Sequence, residues 1–350
     1  MADAQANEIL TSGIHRFLAD GVHYRDLIDI GKAIDKWSDW PSVWSEYAGA
    51  GVKRAESALV AGARATAARE LVRASIYYHY AQNVFFDDVP LKRKIQQLKI
   101  DSFKRAGTLL DPPVERVDIP FESAAIPGYL RVPKNVSKPP CVLLLGGLDT
   151  TKEDYITVND LCIERGLATF AFDGPGQGEM VWGMRWRPDF ERAIFAVLDY
   201  LQTRREIDPA RIGLIGRSLG GHYGPKAAAG DKRLKAIVAW GACYEMKRID
   251  QMPKMFKEGW LFMLGESTIE AVHNRLHVVT LQGIAEKITC PMLIVHGGLD
   301  KWTPLPDAER LAREARGPVE KLIWNDSIHC CHDRSHIVRP AMADYLARTL

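Results

Sequence analysis

Apolar positions along the chain follow two different rules, and the change falls near residue 110. Before it they recur at helical spacing. Within 48–86, a stretch rich in Ala, Arg and Glu, residues Ala58, Val60, Ala61, Ala65, Leu71 and Ile76 mark helix faces. Asp39 ahead of Trp40-Pro41 reads as a helix start with proline in the first turn. Pro90 and the run 91–110 predict a further helix, and Asp111-Pro112-Pro113 ends the pattern.

Beyond that break, short runs that are apolar at nearly every position occur at 142–145, 168–172, 212–215, 236–240 and 292–295. Such runs signal parallel strands buried on both faces. They alternate with segments of helical length such as 189–205, which predicts a doubly wound α/β sheet. Residues 118–120 and 126–132 predict a leading antiparallel hairpin. One interval breaks the rhythm: about fifty residues separate Trp240 from Cys290, including MPKMFKEGWLFMLG, and contain no strand pattern. A simple crossover is far shorter. A helical insertion at about 245–289 is expected, lying over the C-terminal edge of the sheet where open α/β folds bind ligands. The expected organisation is a helical domain over 1–110 and an α/β domain over 111–350. The helical domain is expected to pack against the insertion and close the site as a cap that helps to form the substrate pocket.

Composition narrows the function. With 47% hydrophobic and 26% charged residues in 350, the chain has an ordinary soluble make-up. A net charge of +2 gives no electrostatic reason to expect nucleic acid or a membrane surface. No apolar run approaches the roughly 20 residues of a membrane helix. The N-terminal MADAQANEIL lacks the basic start and apolar core of a signal peptide. The six cysteines include the adjacent Cys330-Cys331 but no C-x-x-C spacing, so reduced thiols in a cytoplasmic protein are expected.

Residues 213–224 read GLIGRSLGGHYG. Gly216, Ser218 and Gly220 fit G-x-S-x-G, the turn that lifts a serine hydroxyl clear of a strand-to-helix junction. That backbone is strained, and Cβ atoms two residues to either side would collide, so glycine is needed at both flanks. The apolar 211–215 and the helical-looking 223–229 supply the strand and the helix. The pattern alone is also met in ordinary strand–turn–helix connections, so the serine's partners decide.

A serine nucleophile needs a base to take its proton and a carboxylate to orient that base, in chain order Ser, Asp or Glu, His for this type of sheet. LIVHGGLD at 293–300 is a buried strand running into a glycine turn that ends in Asp300. Taken alone, Asp300 reads more readily as a turn or cap residue. After the short strand 321–324 comes NDSIH, which places His329 on the loop beyond the last strand. His329-Cys330-Cys331-His332 raises a metal site as the alternative. Vicinal cysteines do not readily share one zinc, however, and the spacing fits no structural zinc pattern, so no metal is expected. His296, at a strand end, reads as structural. Order and context together point to a catalytic triad of Ser218, Asp300 and His329. The backbone N–H of Leu219 and that of Leu148, in GGLDTTKED after the 142–145 strand, are the expected oxyanion donors. DGPGQGE at 173–179 does not form G-x-G-x-x-G and reads as a rigid turn, so no cofactor is expected.

These stretches, GGLDTTKED, FDGPGQGE, GRSLGGHY, HGGLD and HCCH, together resemble the 2,6-dihydroxypseudooxynicotine hydrolase family. These are carbon–carbon bond hydrolases, related to fungal hydrolases that shorten pigment polyketides. HYRDLIDIG and the trio Trp37, Trp40 and Trp44 extend the resemblance into the helical region. It implies an α/β-hydrolase fold, a mostly parallel sheet flanked by helices, with an all-helical N-terminal domain. It implies a substrate ketone activated by a second carbonyl or an electron-rich ring. Ser218, or a water activated by His329, would attack that ketone. It also implies a glutamate beyond the strand after the elbow helix. Glu245 in WGACYEMKRID is nearest, with Asp250 close behind and a plain surface role equally open.

A carboxylesterase or other acyl hydrolase needs the same triad and stands as the alternative. A serine peptidase of the prolyl-oligopeptidase type would carry a β-propeller, which about 110 helical residues cannot build. A binding module without catalysis would make the triad a coincidence. The N-terminal aromatics read mostly as core, with His23, Tyr24 and Arg25 as candidates to reach an aromatic or acidic substrate. The helical region reads otherwise as a stabilising appendage or a dimer surface, which leaves a homodimer open. The expected partner is a small-molecule substrate.

Overall fold

The computed structural model describes residues 3–350; Met1 and Ala2, at the head of the segment read as lacking a leader, lie outside the described residues. The chain divides into two compact units, Met1–Glu115 and Arg116–Leu350.

The first unit is built from α1 (Ala4–Asp20), α2 (Tyr24–Ala33), α3 (Trp40–Val60), α4 (Arg64–Gln82) and α5 (Val89–Gly107). Asp3 caps α1 through its carboxylate, which accepts from the N–H groups of Gln5 and Ala6, and α1 ends at the left-handed Gly21. The span 48–86 is not one helical run. It breaks at Gly62, whose φ of +72° leaves the helix, and the short link makes α3 and α4 antiparallel neighbours. Asp88 starts α5 by accepting from the Leu91 N–H at 2.8 Å.

The aromatics of the helical region, read mostly as core, pack on one another inside this unit. Trp40, Trp44, Tyr77 and Tyr80 are buried. Phe17 meets Tyr80 edge-on at 4.5 Å, and Trp44 meets Tyr77 at 5.8 Å. Three of the four polar ends are satisfied internally: Tyr80 donates to Asp20 at 2.7 Å, Tyr77 to Asp26 at 2.6 Å, and the Trp40 indole to the Tyr80 carbonyl at 2.8 Å, while the buried Trp44 indole N–H has no partner among the described residues. Packed ring on ring, this cluster is the core of the helical unit.

The second unit carries an eight-stranded sheet. Its strands are β1 (Val114–Phe121), β2 (Ala124–Arg131), β3 (Cys141–Leu145), β4 (Ala168–Phe172), β5 (Ile212–Arg217), β6 (Leu234–Trp240), β7 (Met292–Gly297) and β8 (Val319–Trp324). They lie in the order β1-β2-β4-β3-β5-β6-β7-β8. Strand β2 runs antiparallel to β4, whereas β4-β3-β5-β6-β7-β8 are parallel. Between the strands lie α6 (Ile156–Glu164), α7 (Glu191–Gln202), α8 (Gly220–Gly230), α9 (Lys254–Leu264), α10 (Ile269–Leu276) and α11 (Leu305–Glu314), with α12 (Ser335–Thr349) at the end. The uniformly apolar strands are buried on both faces: Leu143 and Leu214 join the core with α7 and α8, and Val142 and Ile215 join the one with α6 and α12.

The chain passes from β3 to β4 on one side and then to β5 on the other, so the strand order reverses at β3. Such a reversal opens a crevice at the C-terminal strand ends. Leu145 pairs with Phe172 and with Gly216, so the loops after β3, β4 and β5 leave the sheet level with one another.

Helix α9 of the insertion lies above these ends. Trp260 meets Trp186 in the connection after β4 at 5.9 Å, the Met263 carbonyl accepts from the Trp186 N–H at 3.0 Å, and Phe256 meets Trp302 after β7 at 4.8 Å.

Below the crevice, a buried charge cluster ties the loop after β3 to the turn after β4. Lys152 Nζ lies 2.8 Å from Asp173, 2.8 Å from Glu153 and 2.5 Å from Glu179, and Glu179 also takes Arg116. Burial alone would lower the Lys152 pKa, but Asp173, Glu153 and Glu179 raise it well above the usual value. Burial likewise favours a neutral Glu179, yet Lys152 and Arg116 bring it down to about 2. In DGPGQGE, a Cβ on Gly178 would stand 2.0 Å from Asp173 Oδ2, so glycine there leaves room for that carboxylate.

Lys152→Met, which strands Asp173 and its neighbours without their cation, is expected to cost about 3–5 kcal/mol in urea unfolding; an unchanged midpoint would show that the cluster does not hold these loops. Glu179 titrates lower in the folded chain than its ordinary 4.5. Its contribution is therefore present above pH 4.5 and lost as pH falls towards 2. Glu179→Gln is expected to flatten that part of the acid limb in a pH series of unfolding curves.

Candidate active site

The nucleophile turn is a consequence of steric exclusion. Ser218 sits between β5 and α8 with φ +57°, a left-handed conformation that a residue with a side chain adopts only where its surroundings impose it. A Cβ on Gly216 would lie 2.1 Å from the Gly220 carbonyl oxygen, and one on Gly220 would lie 2.5 Å from that of Leu145. The two flanking glycines let β5 turn back on itself against β3. The Ser218 N–H donates to the Trp240 carbonyl at 2.7 Å, which pins the turn to β6.

Asp300 and His329 meet because the loops after β7 and β8 lie directly on each other. A Cβ on Gly297 would be 2.3 Å from the Ile328 oxygen, and one on Gly298 would be 2.5 Å from that of Asn325, which accounts for both glycines of HGGLD. His329 Nδ1 stands 2.6 Å from Asp300 Oδ2, and its Nε2 stands 2.9 Å from Ser218 Oγ. With Asp300 ionised, Nδ1 carries the proton and Nε2 faces the serine as acceptor. The other Asp300 oxygen accepts from the N–H groups of Trp302 and Thr303, both at 2.9 Å, and the Thr303 hydroxyl donates to Oδ2 at 2.8 Å. Sequence reasoning missed Thr303, although a Thr three residues after an Asp at a strand end is an Asx-type turn signal.

Burial alone would raise the Asp300 carboxyl, but the His329 ring and the Thr303 N–H outweigh it and bring it down to about 2. For His329 burial favours the neutral ring, whereas Asp300 and then the Cys330 sulfur raise its pKa well above the ordinary imidazole value. His296 Nε2 approaches the Thr303 carbonyl oxygen at 2.7 Å, and burial lowers its pKa, as befits a neutral supporting ring.

His329 is aimed by an unusual bend. Cys330 and Cys331 both occupy the left-handed region, with φ +55° and +48°. Cys330 folds beneath the imidazole, its sulfur 3.4 Å from Nε2, and fills the space that a Cβ on Gly241 would need. Its carbonyl accepts from the Trp240 indole at 2.5 Å. Burial pushes the Cys331 thiol up to about 12, which makes it inert. Among the described residues, no group of three His, Cys, Asp or Glu is placed to hold a metal ion.

The loop after β3 runs past the serine: a Cβ on Gly147 would touch Ser218 Cβ at 2.9 Å and lie 3.3 Å from the Leu219 nitrogen. This brings the backbones of Leu148 and Leu219 to the same mouth. Thr150 anchors the loop from below by accepting two bonds from the buried Arg217, at 3.1 and 2.7 Å.

The remaining candidates lie elsewhere. Glu245 forms a β-bridge with Thr280, and its carboxylate pairs with Lys247 at 2.7 Å; among the described residues nothing links it to Ser218 or His329. Asp250 faces His273 at 3.4 Å on the surface. His23 caps α2 by accepting from the Arg25 N–H, Tyr24 is exposed, and Arg25 pairs with Asp29 at 2.8 Å.

Comparison with known proteins agrees with this geometry. A family model described as esterase FrsA-like matches residues 36–339. The chain is 34% identical over 347 residues to a 2,6-dihydropseudooxynicotine hydrolase of Paenarthrobacter nicotinovorans, covering 97% of this chain and 92% of that one. It is 31% identical over 338 residues to a 20-hydroxy-prefusarin hydrolase of Gibberella moniliformis, covering 81% and 80%. The crystal structure of a 2,6-dihydroxy-pseudo-oxynicotine hydrolase superposes with a TM-score of 0.89 at 33% identity, over 96% of this chain and 95% of the other. The family match takes in the serine turn, the Asp300 loop and the His329 loop, and the chain belongs to the FrsA-like esterase family, with the α/β-hydrolase fold.

Proposed function

We propose that this protein hydrolyses a carbon–carbon bond beside a ketone, in a substrate of the 1,3-diketone or aryl ketone type. The observation that carries the reading is the relationship to the Paenarthrobacter nicotinovorans hydrolase over 97% of the chain, its helical N-terminal unit included. A triad by itself serves ester and ketone cleavage equally. The six free thiols favour a cytoplasmic setting, and no helix among the described residues is long and apolar enough to cross a membrane.

In this reading His329 Nε2 takes the proton of Ser218 Oγ as that oxygen attacks the ketone carbon. The developing oxyanion is received by the N–H groups of Leu148 and Leu219, which no acceptor among the described residues occupies. When the tetrahedral intermediate collapses, the C–C bond breaks. Its electron pair leaves as an enolate conjugated with the second carbonyl or the ring, and the proton on His329 passes to carbon. Water, deprotonated by His329, then releases the acyl group as a carboxylic acid. Asp300 holds the ring in the required tautomer throughout, and Thr303 holds Asp300. Direct attack by Ser218 is favoured over attack by water because Oγ already lies 2.9 Å from the base. Glu245, held by Lys247, has no assigned step.

Ser218→Ala and His329→Ala are each expected to lower kcat by about four orders of magnitude or more, whereas Cys331→Ser should leave kcat/KM within a few-fold. Steady-state kinetics of the three variants decides this, and loss of activity on chelation would contradict it.

The neutral form of His329 is the active base, and its pKa is raised. The kcat/KM profile should therefore climb with pH through a midpoint above the ordinary value of about 6.5. Asp300→Asn removes the charge that raises it, so the midpoint should move to lower pH as the rate falls.

Across a panel of aryl 1,3-diketones and matched aryl esters, kcat/KM is expected to be higher for the diketones. If the esters win by tenfold throughout, the enzyme is a carboxylesterase.

A further inference from the structure

The side chain of Gln177 makes three buried hydrogen bonds, all to backbone. Its Nε2 donates to the carbonyl oxygens of Gly146 and Gly147, each at 2.8 Å, and its Oε1 accepts from the Gly174 N–H at 3.0 Å. Both amide hydrogens and the carbonyl oxygen are thus used, and no other neutral side chain offers two donors and an acceptor on one planar group of this size. In a trans peptide the C=O of one residue and the N–H of the next point in opposite directions from the same plane. Holding the Gly146 and Gly147 oxygens therefore fixes the direction of the N–H groups of Gly147 and Leu148.

The sheet order says which direction that is. Strand β3 lies between β4 and β5, Gln177 belongs to the turn after β4, and Ser218 follows β5. The Gly147 carbonyl, drawn towards the β4 side, leaves the Leu148 N–H facing the β5 side, where Gly147 already rests against Ser218 Cβ. With no side chain on Gly146 or Gly147, these peptides lack local bulk to fix their orientation, and glycine permits the flipped form at little cost.

From this geometry we infer that Gln177 is a positioning residue for the oxyanion site: it keeps the Leu148 N–H turned towards the oxygen that becomes charged. The inference rests on the proposed role of Ser218 as nucleophile but not on whether the bond cleaved is C–C or ester. Without Gln177 the loop remains anchored by Thr150 and Lys152, so the effect falls on the direction of a donor rather than on the fold.

The test uses 2,2,2-trifluoroacetophenone, to which Ser218 Oγ adds. An O–C bond forms, the carbonyl π pair moves to oxygen as the alkoxide, and the serine proton passes to His329. Adduct formation is followed by 19F NMR, with benzyl alcohol as a ligand that develops no charge and 4-nitrophenyl acetate as an ester probe. Gln177→Met, close in size and without donors, should weaken the ketone adduct about 100-fold or more and lower kcat on the ester in parallel. KM and benzyl alcohol binding should stay within threefold. Gln177→Glu keeps the acceptor for Gly174 and loses both donors, so it should behave alike; whichever variant keeps the wild-type circular dichroism spectrum decides. A folded variant with wild-type adduct affinity and kcat overturns the assignment of Gln177. If the wild-type protein itself forms no adduct, the nucleophile reading fails, and the role of Gln177 falls with it.

Discussion

The active site rests on direct contact between backbones. Strand β5 turns at Ser218 while touching β3 through Gly216 and Gly220, and the loop after β3 passes so close that Gly147 meets the serine Cβ. The loop after β8 lies on Gly297 and Gly298, and Cys330 fills the space beside Gly241. A Cβ at any of these positions would stand 2.9 Å or less from a neighbouring atom, so something would have to shift. The distances of 2.6 and 2.9 Å through His329 leave no such margin. Van der Waals exclusion, more than any attractive term, sets the geometry on which the chemistry depends.

Contacts of this kind need something to press the loops together, and polar groups removed from water supply it. Lys152 with its carboxylates and Arg217 on Thr150 each tie one loop to a neighbour, and Thr303 braces Asp300 within its own loop. Each is strong because it is dry, and each becomes a liability if one partner is removed, since the other is left charged or unpaired without solvent. The left-handed pair Cys330-Cys331 belongs to the same arrangement: backbone strain tolerated because the Trp240 indole and the packing under His329 leave no alternative.

Much of this was legible in the sequence, for reasons specific to particular residues. Ser218 and Asp300 each follow a buried apolar run and His329 follows the short strand 321–324, so counting strands placed them at one edge. The glycine flanks stated their own steric purpose. The limits of the buried strands moved by only a residue or two, as where β5 runs on through Gly216 to Arg217, but the leading strand read as 118–120 extends from Val114 to Phe121. Three things were hidden. Lys152, Glu153 and Asp154 look like a solvated charge run, and only pairing with Asp173, 21 residues away, buries them. Glu245 is nearest by count, but the bridge to Thr280 sends it towards Lys247. The tryptophans near residue 40 read as core, but no local pattern reveals that their partners are the tyrosines near residue 80.

The bond between His329 and Ser218 joins residues 111 positions apart, and that between His329 and Asp300 spans 29. The first needs β5, β6, β7 and β8 all in place, because β6 and β7 lie between the serine strand and the histidine loop, whereas the second needs only β7 beside β8. Contacts of such long range close late, after their loop entropy has been overcome. Catalytic competence is consequently a property of the completed sheet. A chain whose central strands are paired but whose β8 is not would hold the serine turn without His329 beside it.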